Sequence, residues 1–303
     1  MNAIMKMKKC KWLSLFIFAI FISSAPLFAT TRYIAITGTD NGTCVSASTP
    51  CKTFVYSIGQ ASDGDTIRAA AGTYAEHDIG IAKNLTLIGS GIGNTYINSS
   101  FVGRVLDVVS TVTISDMTIN RGEFAGFGAG IFNAGSLTLI RVRVDRNLAT
   151  GANGYGAGIC NTRTLNLNSS YVSGNVADAS GGGIYNVGPA AIATLTDSTV
   201  SGNMAQYGAG ILNYSEATMN LTNTRISRND ASVTGGGMDN NSATAVFNNV
   251  TFSANSADLN GGGMKNDVNA NASLTNVTFT GNTAKTFGGG LYNVSGATLQ
   301  EQI

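Results

Sequence analysis

Gly208-Ala209-Gly210-Ile211-Leu212-Asn213, followed by Met219-Asn220-Leu221 and then by Ile226-Ser227-Arg228-Asn229, is the stretch that decides the fold. Hexapeptides of the form Gly-Ala/Gly-Gly-Ile/Met/Leu-x-Asn begin at Gly128, Gly156, Gly181, Gly208, Gly235, Gly261 and Gly288, at spacings of 28, 25, 27, 27, 26 and 27 residues. So regular a period marks stacked structural repeats. The closing element keeps step, as Val144 to Asn147, Val172 to Asn175, Val200 to Asn203, Phe252 to Asn255 and Phe279 to Asn282. Between the two lie short alternations such as Leu137-Thr138-Leu139 and Leu165-Asn166-Leu167. That is the period of a strand buried on one face.

Each unit thus offers three short strands and no helical pattern. Strands this short cannot bury their apolar faces alone, but stacked coils form three parallel sheets around a dry interior, rising about 4.8 Å per coil. The fold class is all-β, a parallel β-helix. Ile131, Ile159, Ile184, Ile211, Met238, Met264 and Leu291 are expected to form one inward column, and Val144, Val172, Val200, Ile226, Phe252 and Phe279 another. Asn133, Asn161, Asn186, Asn213, Asn240, Asn266 and Asn293 suit amide ladders, since each side chain both donates and accepts along a stack. The glycines supply positive φ and close backbone approach at corners.

Composition agrees. Only 12% of the 303 residues are charged, 38 are Gly and 3 are Pro, which excludes coiled coils, charged helical bundles and collagen. The sole histidine, His77, rules out a His-rich metal cage. Residues 1–29 read as a secretory signal peptide: Lys6, Lys8, Lys9 and Lys11 precede an apolar run from Leu13 to Ile22, and small residues follow up to Ala29. Without those four lysines the net charge is −3, which leaves no electrostatic footprint for nucleic acid. No transmembrane helix is expected in the mature chain. Cys44 and Cys51, seven apart in a loop of an exported chain, are paired as a disulfide; Cys160 is a small apolar residue within a stack.

Residues 30–64 form an N-terminal cap: a strand at Tyr33 to Ile36, the Cys loop, and a short helix between Lys52 and Ser62 with Phe54, Ile58 and Ala61 on one face. The β-helix occupies 65–303 and is read as incomplete at its C-terminal end, with surface attachment through a missing further region. Gly64-Asp65-Thr66-Ile67 and Ala71-Gly72-Thr73-Tyr74 open the first coil.

These features resemble the right-handed parallel β-helix family, in which a strand, a Cys pair, a capping helix and a Gly-Asp-Thr-Ile…Gly-Thr-Tyr stretch open the domain. The repeats from Gly128 onward are also similar to those of chlamydial polymorphic outer membrane proteins, autotransporter adhesins with Gly-Gly-Ala-Ile/Leu/Val and Phe-x-x-Asn motifs. Phe252 to Asn255 and Phe279 to Asn282 match the second motif, and Gly-Ala-Gly-Ile approximates the first. This second resemblance implies a secreted or outer-membrane-associated bacterial surface protein, an adhesin-like or carbohydrate-binding passenger rather than an enzyme, with a polysaccharide or host-surface ligand. The alternative is a lyase, hydrolase or epimerase acting on acidic polysaccharide, as in many β-helix proteins.

Such chemistry needs converging carboxylates, or a base beside a cation. The acids of the repeats, Asp145, Asp178, Asp197, Glu216, Asp230, Asp239, Asp258 and Asp267, fall in different columns, so no catalytic set, metal site or cofactor is assigned. The residues after the inward Ile/Met/Leu form an outward stripe: Phe132, Cys160, Tyr185, Leu212, Asp239, Lys265 and Tyr292. Tyr185, Asp239, Lys265 and Tyr292 are the candidate ligand-binding residues, the tyrosines for stacking on sugar rings and the charged pair for each other. A second outward column, Arg143, Tyr171, Thr199, Arg225, Thr251 and Thr278, is chemically mixed.

Overall fold

A computed structural model describes residues 29–302. The expected signal peptide, Ala29 apart, lies outside the described residues. The chain winds into a parallel β-helix of three sheets, with 16, 9 and 7 strands. The nine-stranded sheet counts the coils, from Ile79–Ile81 to Leu291–Asn293. No helix among the described residues is long and apolar enough to cross a membrane.

Both inward columns form as the period predicts. Ile184 pairs in register with Ile159 and Ile211, and Val172 with Val144 and Val200; all six are at most 1% exposed. The asparagines stack as ladders. Asn133 Nδ2 donates to Asn161 Oδ1 at 2.6 Å, and the chain continues through Asn186, Asn213, Asn240 and Asn266 to Asn293 at 2.7–2.9 Å. A second ladder joins Asn147, Asn175, Asn203, Asn229, Asn255 and Asn282, and here each Oδ1 also accepts the backbone N–H of the preceding ladder asparagine, at 3.0 Å. The glycine at the third position of the first six hexapeptides has no room for a side chain: a Cβ on Gly210 would sit 2.3 Å from the Gly237 carbonyl oxygen of the next coil.

The sheets divide the strands differently from the sequence reading. The Leu-x-Leu and Val segments, expected in separate sheets, belong to one 16-stranded sheet that bends between them. The bend falls where Asp116, Arg141, Ser169, Asp197, Asn223, Asn249 and Asn276 take φ between 49° and 58°, a local left turn that polar residues tolerate. The true third sheet has strands mostly two residues long around buried Ala149, Ala177, Ala205, Ala231 and Ala257. Alanine there lets the short strands approach the glycine corner.

At the N-terminal end, Thr31–Ile34 pairs with Thr66–Ala69, and the helix Phe54–Gln60 packs against both this strand and the first coil. Phe54 meets Tyr74 edge-on at 5.0 Å and is fully buried. The first coil also caps the helix: Glu76 accepts the amides of Phe54 and Val55, while Lys83 donates to the carbonyls of Ile58, Gly59 and Ala61. Opposite charges thus sit at the helix ends they complement. Cys44 and Cys51 are joined by a disulfide.

Candidate functional site

The outer face of the nine-stranded sheet carries the predicted stripe, with Phe132, Cys160, Tyr185, Leu212, Asp239, Lys265 and Tyr292 paired in register coil by coil. These side chains point away from the core, yet several are covered: Cys160 is 0%, Tyr185 6% and Asp239 2% exposed. The cover is a neighbouring corner column, Phe127, Tyr155, Ser180, Tyr207, Thr234, Asn260 and Phe287, whose members bridge from coil to coil. Each immediately precedes a glycine hexapeptide, and four of the seven are aromatic.

Aromatic rings therefore stack outside the sheet as well. Phe127 lies on Tyr155 at 5.3 Å, Tyr155 on Tyr185 at 5.2 Å, and Tyr185 near Tyr214 at 6.5 Å, all close to parallel. Burial raises the Tyr185 hydroxyl pKa above its ordinary value and pushes the Cys160 thiol beneath it up to about 12, so Cys160 is a packing residue.

The stack ends at a groove of about 260 Å³, lined by Tyr185, Tyr207, Tyr214, Asp239, Lys265 and Asp267 among others. Asp239 forms its buried floor. Oδ2 accepts the Thr234 hydroxyl at 2.8 Å, whereas Oδ1 is buried without a partner. Burial is the main reason that the Asp239 pKa rises to about 6; Lys265 and the Thr234 hydroxyl oppose the rise and Asp267 adds to it. Lys265 is the register partner of Asp239, but its ammonium rests on Asp267 at 2.5 Å. Burial pulls the lysine pKa down, and the negative charges of Asp239 and Asp267 more than restore it. Asp267 also accepts Asn241 Nδ2 at 3.1 Å and the Val268 amide at 2.8 Å.

Three of the four candidate residues, Tyr185, Asp239 and Lys265, thus meet at one groove. Tyr292 lies one coil beyond, beside Lys265, and stacks on Phe287 at 5.7 Å. The sequence reading passed over Asp267, Tyr207 and Tyr214 as members of the groove. Tyr214 stands two residues after Leu212 on the same side of its strand, Asp267 follows Lys265 by two residues just past the strand end, and Tyr207 belongs to the pre-glycine column. His77 lies elsewhere, exposed and bonded to Asp78 at 2.8 Å.

No protein-family model matches the chain, and no curated protein matches it in sequence. Among solved structures, pectate lyase Pel9A aligns over 90% of this chain and 77% of its own length, with 12% identity and a TM-score of 0.58. The pectin methylesterase from Aspergillus niger aligns over 92% and 86%, with 15% identity and a TM-score of 0.41. The likeness to Pel9A is one of fold, the parallel β-helix.

Proposed function

We propose that the chain is an exported β-helix protein that acts on an acidic polysaccharide in the groove at Asp239, as a lyase. The observation that carries this reading is a buried carboxyl with one free oxygen, poised near pH 6, beside a lysine and a wall of tyrosines. Folding alone gives no reason to hold such a group at the floor of a groove.

Elimination fits the residues better than hydrolysis. A hydrolase needs two carboxylates free to act on one glycosidic bond, whereas Asp267 is already engaged by Lys265, Asn241 and an amide. In elimination, ionised Asp239 takes the proton α to a uronate carboxylate. Lys265 shares its charge between Asp267 and that carboxylate and stabilises the enolate. The enolate electrons then form the double bond as the glycosidic C–O bond breaks, and the leaving oxygen takes a proton from a groove hydroxyl or water. The Cys44–Cys51 disulfide supports an extracytoplasmic setting, and the parallel β-helix shared with Pel9A is compatible with this chemistry.

The test is release of unsaturated uronate from polygalacturonate, alginate and other acidic polysaccharides. Wild type is expected to release it, and D239N and K265M to fail while remaining folded. Absence of turnover on every polysaccharide would remove the lyase reading. A second reading, a carbohydrate-binding or adhesin-like passenger, draws on the burial of Asp239 and on the ring stack, and expects retention of a polysaccharide without turnover.

A further inference from the structure

We propose that the bend of the long sheet carries a second site, a trough that holds an anionic stretch of glycan through Arg225. The outer face there encloses about 510 Å³, lined by Asp197, Thr199, Asn223, Arg225, Thr251 and Ser253 among others. One wall is a chain of side-chain hydrogen bonds along the bend. Asn276 Nδ2 donates to Asn249 Oδ1 at 3.1 Å, Asn249 to Asn223 at 2.8 Å, and Asn223 to Asp197 Oδ1 at 3.1 Å. Each amide uses one N–H along the chain and keeps the other for a ligand.

The opposite wall is the outward column of Thr199, Arg225 and Thr251, paired in register. Arg225 is exposed, and its guanidinium has no hydrogen-bond or ion-pair partner among the described residues. Other arginines near this bend are engaged: Arg143 lies over the Tyr171 ring at 5.2 Å, and Arg141 is held by Asp116 at 2.7 Å. The trough also contains a buried polar group without a partner. Ser253 is 8% exposed, and its hydroxyl makes no hydrogen bond.

A free guanidinium fork, unused amide donors and an unsatisfied hydroxyl together select a ligand rich in hydroxyls that carries a planar anion. The fork takes a carboxylate through two parallel bonds. Asp197, already bonded to Asn223, remains an acceptor for a sugar hydroxyl at one end. The lining residues succeed one another coil by coil from Asp197 to Thr280, about 14 Å at the strand spacing. The ligand therefore lies parallel to the helix axis. The class of ligand rests on the acidic-polysaccharide reading; the site and its chemistry are separate from the Asp239 groove.

The test is affinity electrophoresis of the full chain through gels containing polygalacturonate, alginate or, as an uncharged control, dextran. Wild type is expected to be retarded by at least one of the two polyanions and not by dextran. R225Q should bind that polyanion about tenfold more weakly, the scale of a lost charge-assisted pair. R143Q has the same net charge as R225Q, in the same column, and should bind as wild type does. If no polyanion retards the wild type, if R225Q matches it, or if R143Q loses as much as R225Q, the trough is not the site. Arg225-dependent binding without any turnover would overturn the lyase and leave the trough standing.

Discussion

Asp239 and Lys265 are register partners on adjacent coils, yet the lysine forms its ion pair with Asp267, two residues on and just past the end of its own strand. Among the described residues the Asp239 side chain is left with Thr234 as its one hydrogen-bond partner and one oxygen unsatisfied. The floor of the groove is therefore a group that folding has desolvated without compensating.

That arrangement carries a pH signature. The Asp239 pKa rises from 3.8 in the unfolded chain to about 6 in the folded one. A raised carboxyl pKa contributes stability below the unfolded value and loses it as pH climbs through the folded value. D239N, neutral throughout, should match wild type near pH 4 and exceed it above pH 6 by an amount of order 2–3 kcal/mol. Denaturant unfolding across this range checks the expectation; a difference independent of pH would refute it.

Ile184 and Tyr185 point to opposite sides of the sheet, and both are buried. Ile184→Asp should unfold the chain, because an unpaired charge would sit between Ile159 and Ile211. Tyr185→Asp should also be costly, unlike a change on an open surface, since it removes the ring between Tyr155 and Tyr214. Tyr185→Phe keeps the stack and should change stability by less than about 1 kcal/mol. Thermal melts of the three variants give the order.

Buried and exposed ladders should respond differently. Asn213→Ala leaves the Asn186 amide, the Asn240 oxygen and the Thr244 carbonyl each short of a partner, at a cost of about 2–4 kcal/mol. Asn223→Gly, in the exposed ladder of the bend, keeps the positive φ and should cost only about 0.5–1 kcal/mol. Similar losses from both in urea titrations would mean that burial does not set the strength of these amide chains.

At the N-terminal end the buried pair Arg32–Asp65 predicts a response to acid. Burial raises the Asp65 pKa, but hydrogen bonds from the Ser62 and Thr30 amides and from Arg32 outweigh it and hold the carboxyl below 3.8. A lowered pKa contributes stability that is present above the unfolded value and lost as pH falls. Wild type should lose this contribution below about pH 4, and D65N should lack that component. Breaking the buried pair should itself cost about 3–5 kcal/mol at neutral pH. Equilibrium unfolding between pH 2 and 7 reads both effects.

The period of the glycine hexapeptides made coil height, the inward columns and the amide ladders legible, because each rests on a residue repeated at one place in every coil. The division of strands among sheets was not legible: a single residue of positive φ, such as Asn249, shifts the alternation by one place, from Phe247 to Val250, which in sequence reads as the end of one sheet's strand although the sheet only bends there. The alanine sheet escaped for a similar reason, since two-residue strands carry no periodicity. For the site, the alternation of Ile184 and Tyr185 gave the direction of each side chain. It did not reveal that Tyr155 and Tyr207, from the corner before each glycine, fold over the stripe. Asp267 was visible only as an acid in another column, because it lies just past the end of the strand that carries Lys265, where alternation no longer sets direction.

The two buried asparagine ladders also constrain how such a molecule can change in length. Every amide is completed by its counterpart one coil away, so an insertion of a few residues inside a strand would throw both ladders out of step. An insertion of one whole unit, with its hexapeptide and closing asparagine, would extend them. Growth or shortening of the ladders by recombination is thus quantised at 25 to 28 residues, and a graft of one coil between Asn213 and Asn240 is the smallest addition that lengthens both ladders with every buried amide matched.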